Sequence, residues 1–292
     1  MPVLALDIGG TKTAVALVAD GRVVERRQIL PPPAPDAAAL VETALAAACP
    51  LLRTADRVGV ATGGLVADGT LRAVNQAMFR LPAPFPFASM LKAALGLPVR
   101  LLNDGAAAAW GEYRFGAGRG ARSLVFVTIS TGVGGGIVLH GRPLSGRQGL
   151  AGHVGFLTAD PAGPACGSGR RGTLESVASG AALARQAAEV FGRPLDAPAL
   201  FTLRGRDPRA VANLDAAAAV TARALADLAA LLDPDRIVVG GGVGLAPGYL
   251  ELVAAHLAGE PELFRPPLAR AELGADAGLV GAASWAETDT TA

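Results

Sequence analysis

Apolar residues occur along the chain in short runs that are separated by Gly-rich turns and Ala-rich segments. A run at residues 3–5 predicts a buried strand that reaches a turn at Gly9-Gly10, and the run at residues 13–18 predicts the returning strand. Asp20-Gly21 is typical of a second hairpin turn, so residues 22–26 are expected to form a third strand. The chain is therefore predicted to open with an antiparallel meander rather than with a βα unit.

The rest of the first hundred residues follows an α/β pattern. Asp36 is placed to cap an Ala-rich helix that runs to about residue 48. The last predicted strand delivers Asn103 and Asp104 to its carboxyl end, and an Ala-rich helix follows. The other elements predicted here are a strand at 58–61, a hairpin at 68–69, a helix at 87–95 and a strand at 98–102.

A similar series of elements begins near residue 123. A strand at 124–129, a Gly-rich turn at 132–136 and a returning strand at 137–141 repeat the arrangement at the start of the chain. This similarity predicts two structural repeats that face one cleft. The later elements predicted are helices at 179–191, 207–232, 247–257 and 277–285, and a strand at 236–239 that ends in Gly240-Gly241-Gly242.

Length and composition fit a two-domain globular enzyme. A chain of 292 residues is longer than a single hydrophobic core usually accommodates, so two domains are expected. The smaller α/β domain is expected to comprise residues 1–105 plus 277–292, and the larger one residues 106–276. The net charge of +1 gives no general attraction to nucleic acid or to anionic membranes. Cys49 and Cys166 make no disulfide framework, and neither a cationic leader nor a long apolar run is evident. We therefore expect a cytoplasmic protein.

Asp104 is the candidate with the clearest chemistry. A carboxylate at the end of an apolar strand is placed to accept a proton, and a helix N-cap is the structural alternative, compatible with the first role. Two Gly-rich turns, one at Gly9-Gly10 and one that starts at Gly132, can each bring backbone N–H groups to phosphate oxygens. The combination predicts phosphoryl transfer from ATP to a hydroxyl.

Each Gly-rich turn also has a purely structural interpretation, because glycine after a strand usually serves a tight turn. The turn at 132–136 could be confused with a dinucleotide fingerprint, but an apolar β-branched run follows it where that fingerprint requires a helix. Three such turns at strand ends, with Thr11, Thr131 and Asp7 beside them, favour the functional interpretation. We expect Asp7 to hold Mg²⁺, directly or through water, because magnesium prefers hard oxygen ligands.

Taken together, these motifs resemble the ROK family of sugar kinases and sugar-responsive repressors over essentially the whole chain. The resemblance implies an actin-like ATPase fold, of the hexokinase and ribonuclease H-like type, with ATP and a hexose or N-acetylhexosamine in an interdomain cleft. It also implies a homodimer. The motifs that carry the resemblance are Asp7 to Lys12, Asn103-Asp104, Thr131 to Gly136, Gly152 to Gly155, and Cys166 to Gly169 with Glu175.

The resemblance also assigns roles to individual residues. Asp104 is the expected base. The expected sugar-binding residues are Gly63, Asn75, Asn103, Asp104, His153 and Glu175. The expected ATP-binding residues are Asp7, Gly9, Gly10, Thr11, Lys12, Thr131, Gly132, Gly240, Gly241 and Gly242.

Within the family, the segment around His153 is similar to the N-acetylmannosamine kinase branch. Most other members of the family carry Glu at the position of His153. The resemblance thus implies phosphorylation of the 6-hydroxyl of N-acetylmannosamine, in sialic acid catabolism. A loop histidine that binds a backbone carbonyl is the structural alternative for His153. A glucokinase, an N-acetylglucosamine kinase and a non-catalytic sugar-responsive regulator are the functional alternatives. The regulator is disfavoured because the first strand begins at Val3, with no helix-turn-helix before it.

One departure from the family pattern concerns zinc. Family members commonly bind a structural zinc through one His and three Cys, and Phe156, Ser168 and Thr173 occupy three of those positions here. Only Cys166 remains, and one thiolate with two hydroxyls cannot compete for zinc. We therefore expect no structural zinc and a loop held by Phe156 packing and by hydroxyl hydrogen bonds. The lost His normally touches the sugar, so Phe156 leaves the identity of the substrate open.

Overall fold

A computed structural model describes residues 1–10 and 12–288 of the chain. Its first half contains seven strands and three helices in the order that the apolar pattern predicts. These are β1 Val3–Ile8, β2 Thr13–Ala19, β3 Arg22–Ile29, α1 Ala37–Ala48, β4 Val58–Thr62, β5 Leu65–Ala67, β6 Thr70–Arg72, α2 Phe87–Leu95, β7 Val99–Asn103 and α3 Asp104–Phe115.

The second half contains five strands and seven helices. These are β8 Leu124–Ile129, β9 Val133–Leu139, β10 Arg142–Pro143, α4 Leu174–Ala178, α5 Gly180–Phe191, α6 Ala197–Leu203, α7 Pro208–Leu232, β11 Arg236–Gly240, α8 Gly241–Gly244, α9 Tyr249–Leu257, β12 Leu268–Arg270 and α10 Ala277–Glu287. A short 3₁₀ turn at Val154–Phe156 lies between β10 and α4.

The two main sheets have the same topology. One has the strand order β3-β2-β1-β4-β7 and the other β10-β9-β8-β11-β12. In each, the first three strands form an antiparallel meander, and two further strands are added parallel to the first. The predicted internal repeat is therefore confirmed, and the short hairpin of β5 and β6 is an addition to the first half.

Several predicted boundaries hold closely. The carboxylate of Asp36 accepts a hydrogen bond from the backbone N–H of Ala39, at 3.0 Å, so it caps α1 as expected. Helix α2 occupies the predicted residues 87–95, and strand β8 the predicted residues 124–129.

The Gly-rich turn predicted at 132–136 is wrong in extent, since β9 begins at Val133 and contains three of its glycines. These glycines serve close backbone approach. A Cβ on Gly136 would lie 2.5 Å from the carbonyl oxygen of Gly105 in α3, and a Cβ on Gly135 would lie 2.5 Å from that of Phe126. The turn itself is confined to residues 130–132. Close packing of α3 on the second sheet requires glycine at 136, and the neighbouring strand β8 restricts position 135.

Helices α3 and α10 pack against each other in the centre of the molecule, with α3 on the second sheet and α10 on the first. Small residues line their contact. Gly281 of α10 meets the carbonyl of Ala107, and a Cβ on Gly111 of α3 would lie 2.6 Å from the carbonyl oxygen of Ala277. The separate apolar cores of the two halves lie on the outer faces of the sheets, under α1 and α2 and under α5 and α7.

Among residues 1–10 and 12–288, no helix has both the length and the apolar character that crossing a bilayer demands.

Candidate active site

The carboxyl ends of the central strands of both sheets open onto one cleft of about 890 Å³. Strands β1, β4 and β7 end there in the first half, and β8 and β11 end there in the second, as expected for the parallel strands of an α/β sheet. Of the predicted site residues, the cleft lining includes Asp7, Gly9, Lys12, Gly63, Asn75, Asn103, Asp104, Thr131, Gly132, His153, Glu175, Gly240, Gly241 and Gly242.

One described residue of the predicted site, Gly10, is not in this lining. Gly10 lies beside it, where a Cβ would come 3.2 Å from the Cγ of Met78, a residue that does line the cleft. Thr11 lies outside the described residues.

Asp104 is the first residue of α3, and its side chain is exposed to the cleft. Its Oδ1 accepts hydrogen bonds from the amide of Asn103, at 2.9 Å, and from the backbone N–H of Gly105, at 2.8 Å. The helix N-cap is Asn103, whose side-chain oxygen accepts from Gly105 and Ala106. The N-cap of α3 is therefore Asn103 and not Asp104, although both side chains accept from the N–H of Gly105.

Asp7 lies at the next-to-last position of β1, largely buried at the edge of the cleft. Burial raises the pKa of its carboxyl group to about 6, with a further contribution from the nearby charge of Asp104, while Lys12 and Arg26 lower it. Gly278 at the start of α10 leaves room for this carboxylate, since a Cβ there would lie 3.1 Å from Asp7 Oδ2. A carboxylate from β1 and one from the start of α3 are therefore close enough to interact electrostatically.

The first hairpin turn joins β1 to β2 and is closed by a hydrogen bond from the N–H of Gly9 to the carbonyl of Lys12, at 3.0 Å. Besides its contact at Gly10, the side chain of Met78 also lies over Gly63, where a Cβ would come 2.7 Å from its sulfur. A larger residue at Gly63 would displace this thioether. The turn is thus bordered by its own hairpin and by one flexible side chain.

The second hairpin turn joins β8 to β9 and is held from outside by the amino end of α5. The N–H of Ser130 donates to the carbonyl of Gly132, at 2.9 Å, and closes the turn. The N–H of Gly180 donates to the carbonyl of Ser130, at 2.7 Å, and that of Ala181 to the carbonyl of Thr131, at 3.1 Å. The orientation of the turn is therefore fixed by a helix as well as by the hairpin.

A third Gly-rich segment follows β11. Gly241 has a φ of +84°, and a Cβ there would lie 2.3 Å from the carbonyl oxygen of Ile129, so a side chain would not fit. Gly242 has no heavy atom near its missing Cβ, so it faces open space in the cleft. Leu245 and Ala271 add an apolar lining. A flat, partly apolar group such as a purine would find space and suitable surfaces here.

On the opposite side of the second turn, Glu175 accepts a hydrogen bond from the N–H of Val133, at 3.2 Å. Burial raises the pKa of Glu175, while that hydrogen bond lowers it in part. A Cβ on Gly132 would lie 2.6 Å from the carboxylate oxygen of Glu175. Glu175 therefore connects the wall of the cleft to the second hairpin turn.

His153 lines the cleft and is also bound to the backbone of its own loop. Its Nδ1 lies 3.1 Å from the carbonyl oxygen of Leu150, so this nitrogen carries the proton and Nε2 is the remaining acceptor of the neutral ring. The ring stacks on that of Phe156, with centroids 5.7 Å apart and planes 15° apart. The carbonyl contact and the position in the cleft both hold, so the two interpretations of His153 are compatible.

The loop around Cys166 is held by hydroxyl groups. The Sγ of Cys166 lies 2.9 Å from the Oγ of Ser168, and Thr173 caps α4 through the N–H of Ser176. Burial raises the pKa of the Cys166 thiol, but hydrogen bonds from Ser168 and Thr173 outweigh it and lower the pKa below its ordinary value. No group of three or more His, Cys, Asp and Glu side chains suited to a metal occurs among the described residues.

Three carboxylates face the cleft, those of Asp7, Asp104 and Glu175, and Lys12 lines it as well. Within the described part of the chain none of the three carboxylates forms a salt bridge, although the charges of Lys12 and Arg26 lower the pKa of Asp7. Carboxylates that are close together and not paired in salt bridges are suited to accept a proton or to bind a hard cation. The cleft can therefore bind an anion on neutral backbone turns and supply a base beside it.

Sequence reasoning missed several residues that line the cleft. Met78, Phe126, Leu245, Ala271 and Ala275 contribute apolar surface, and no motif marks them. Met78 follows Asn75 by three residues, which is the one local signal that could have pointed to it. The others come from strands and loops that the fold alone brings to the site.

Comparisons with known proteins agree with this architecture. A model of the ROK family matches residues 3–289. An N-acetylmannosamine kinase from Shigella boydii serotype 18 is 45% identical over 291 residues, which are 98% of this chain and 99% of that protein. The solved ROK hexokinase of Thermus thermophilus superimposes with a TM-score of 0.85 at 39% identity, over 98% of both chains.

A ROK glucokinase from Streptomyces griseus, solved in complex with glucose and AMPPNP, has a TM-score of 0.84 at 34% identity and covers 98% of this chain and 99% of its own. The actin-like ATPase fold expected from the sequence is thereby confirmed.

Proposed function

The chain belongs to the ROK family, and from that premise we propose that it is an ATP-dependent kinase of an N-acetylhexosamine. The substrate proposed is N-acetylmannosamine, and the product is N-acetylmannosamine 6-phosphate. Identity of 45% over 98% of the chain to an N-acetylmannosamine kinase supports this substrate.

One observation carries the proposal. The exposed carboxylate of Asp104 opens into the same cleft as two glycine-containing hairpin turns, one from each half of the molecule. A base and an anion-binding backbone in one cavity are what transfer of a phosphoryl group to a hydroxyl requires.

In the proposed mechanism, Asp104 accepts the proton of the sugar 6-hydroxyl while the oxygen of that hydroxyl attacks the γ-phosphorus of ATP. The O–P bond to ADP breaks as the new O–P bond forms. A positioned base of this kind is worth about 10²–10⁴-fold in rate. The N–H groups around Gly9 and Gly132 bind phosphate oxygens, and the segment at Gly240 to Gly242 accommodates the nucleoside.

The residues present fit a magnesium ion. Asp7 is a largely buried carboxylate whose pKa is raised to about 6, in part by Asp104, so a divalent cation beside it would relieve repulsion. Magnesium, when bound with ATP, neutralises phosphate charge. Asp7 would hold the ion directly or through water, and Lys12 would balance the remaining phosphate charge.

The Nε2 of His153 offers an acceptor for the sugar, and the carboxylate of Glu175 offers a second one beside the turn. Asn103 lines the same cleft next to Asp104. For the sugar, we propose contacts from Gly63, Asn75, Asn103, Asp104, His153 and Glu175.

The alternative substrates are glucose and N-acetylglucosamine, and the bound glucose of the Streptomyces griseus glucokinase keeps the first of them open. A non-catalytic regulator is disfavoured by the exposed carboxylate of Asp104, because a protein that only senses a sugar has no need of a base beside a phosphate site. The boundaries of the two domains, the homodimer, the cytoplasmic location and the absence of zinc are further parts of the proposal.

An ATP-coupled assay over matched sugars tests the function. We expect the highest kcat/KM with N-acetylmannosamine, followed by N-acetylglucosamine and glucose, and ³¹P NMR of the product should show a 6-phosphate. Higher kcat/KM with glucose would favour the glucokinase alternative. No turnover with any hexose would overturn the proposal.

A further inference from the structure

Glu112 is a charged residue that the proposed mechanism does not use and that lies inside the protein. It is near the end of α3, and none of its surface is exposed. Within the described part of the chain it forms no salt bridge. Its Oε2 accepts from the backbone N–H groups of Ala117, at 2.8 Å, and Glu272, at 3.2 Å, and its Oε1 accepts from that of Leu273, at 2.8 Å. Because a buried charge is costly without hydrogen bonds, this carboxylate depends on the three donors.

The three donors belong to two separate connections between the halves of the molecule. The chain passes from the first sheet to the second through α3, which Ala117 follows. It returns through residues 271–276, here called the return segment, which lead from β12 to α10 on the first sheet. A Cβ on Gly116 would lie 2.0 Å from Oε2 of Glu112, so the end of α3 closes tightly around the carboxylate. Glu112 therefore joins the outward connection to the return segment.

The return segment also forms part of the wall of the cleft, through Ala271, Gly274 and Ala275. A Cβ on Gly240 would lie 3.2 Å from the Cβ of Ala271, so this wall faces the Gly-rich end of β11. The nucleoside of ATP is assigned to that part of the cleft. The two N–H groups that Glu112 holds, at 272 and 273, lie between the lining residues Ala271 and Gly274. The position of the wall therefore depends on Glu112.

We propose that Glu112 is a positioning residue for the nucleotide, which acts through the return segment and does not touch the ligand. The inference rests on the proposed function, since that function assigns ATP to this part of the cleft. Glu112 is absent from the residues that line the cleft. Helix α3 begins with Asp104 and carries Glu112 near its other end. One helix therefore presents the base at its start and holds the nucleotide wall near its end, which keeps the two at a fixed separation.

Glu112→Gln tests this role with little change in size. It replaces one acceptor oxygen with an NH₂ group that only donates. In one orientation of the amide this group faces the N–H of Leu273, and in the other it faces those of Ala117 and Glu272, so the return segment loses a bond in both. We expect the dissociation constant of AMPPNP with magnesium, from calorimetry, to rise roughly tenfold, because one hydrogen bond is worth about that factor. The dissociation constant of N-acetylmannosamine should stay at the wild-type value.

Asp235→Ala is the matched control, because Asp235 makes bonds of the same kind away from the cleft. Its Oδ2 accepts from the backbone N–H groups of Arg122, at 2.7 Å, and of Ser123, at 2.8 Å, at the amino end of β8. The loss of these bonds should lower the melting temperature and leave the affinity for AMPPNP unchanged. A merely structural role for Glu112 would give the same result in Glu112→Gln.

Hydrogen exchange of the wild type gives a second measurement, which does not require any variant to fold. The N–H groups of Glu272 and Leu273 should exchange slowly in the absence of nucleotide, because both donate to a buried acceptor. Residue-resolved exchange by NMR measures both. Exchange of both groups as fast as that of exposed loop amides would contradict the positioning role.

The failure of this inference can be told apart from the failure of the proposed function. Unchanged affinity for AMPPNP in Glu112→Gln would overturn the positioning role, and so would an equal loss of affinity for the sugar. If the wild type phosphorylates no hexose, the proposed function fails. Weaker binding of AMPPNP by Glu112→Gln than by the wild type would still support the role of Glu112 in that case.

Discussion

The two halves of the molecule have one topology but contribute different chemistry to the cleft. Asp7 is the next-to-last residue of the first strand in its sheet and pairs with Ala14 and Ala61. Thr128 holds the equivalent position in the second sheet and pairs with Gly134 and Gly240. The same fold position therefore carries a carboxylate in one half and a hydroxyl in the other.

The turns that follow these positions differ as well. The first turn is closed by one hairpin hydrogen bond and covered by the flexible side chain of Met78. The second is bound by the amino end of α5 and touched by Glu175. The first half thus supplies two carboxylates, Asp7 and Asp104, and the second supplies a backbone turn that is held more firmly, with Glu175 beside it. The two halves of a duplicated fold can take different functional roles because the strand topology does not depend on which side chains lie at the strand ends.

The largest effect is expected from the charged half. Asp104→Asn should lower kcat by about 10²–10⁴-fold, because the amide cannot accept the hydroxyl proton. Sugar binding, measured by calorimetry, should remain detectable. Unchanged turnover would remove Asp104 from the mechanism and with it the assignment of chemistry to the first half.

The second turn should be sensitive to small changes in shape. A Cβ on Gly180 would lie 2.7 Å from the carbonyl oxygen of Ser130, so Gly180→Ala should push α5 away from the second turn. We expect kcat/KM for ATP to fall on the order of 10²-fold, as for other small displacements. Gly10→Ala is the matched variant. It meets only the Met78 side chain, at 3.2 Å, and should cost far less. Equal losses in the two variants would mean that the turns are equally rigid.

The ionised carboxylate of Asp7 is expected to lower the free energy of unfolding. An acid with a pKa raised from 3.8 to about 6 destabilises the fold while it is ionised, by up to about 3 kcal/mol. Asp7→Asn should therefore raise the free energy of unfolding in urea, without magnesium, at pH 7. Protonation of Asp7 removes its buried charge in the wild type. The difference in free energy of unfolding between Asp7→Asn and the wild type should therefore shrink as the pH falls from about 6 towards 4. A gain that does not depend on pH would contradict the electrostatic explanation.

The smallest effect is expected from metal removal. The loop around Cys166 is held by hydroxyl hydrogen bonds, so EDTA should leave the melting temperature of the purified protein unchanged. A triple variant should bind zinc, because it restores the family's ligand types beside Cys166. Its substitutions are Phe156→His, Ser168→Cys and Thr173→Cys. Stoichiometric zinc in the wild type by elemental analysis would refute the proposal.

Much of this arrangement could be predicted from the sequence. Apolar runs and hairpin signals identify the strands, and capping residues such as Asp36 and Ser179 identify helix starts. The site residues can be found because each lies at a strand end or in a motif of recognisable order. Short elements such as α4, α6 and β12 escape prediction, since so few residues carry no clear periodicity.

The remaining differences have a tertiary cause. The glycines of β9 resemble a turn in the sequence. In the structure they allow close approach, of α3 at Gly136 and of β8 at Gly135, and neither contact can be read from the local sequence. Asn103 and Asp104 are both good capping residues, and only the geometry of the helix decides between them. Apolar lining from Leu245 and Ala271 depends on how distant segments meet.

The contact between α3 and α10 bears on how the cleft can open. Gly281 and Gly111 bring the two helix backbones into direct contact, and Trp110 of α3 meets Trp285 of α10 edge to face, with ring centroids 6.1 Å apart. Close backbone contact and meeting rings both resist sliding of one helix along the other. A side chain added at Gly281 would push the helices apart, because its Cβ would overlap the carbonyl of Ala107. The alignment of the two halves therefore depends on how closely this one pair of helices can approach.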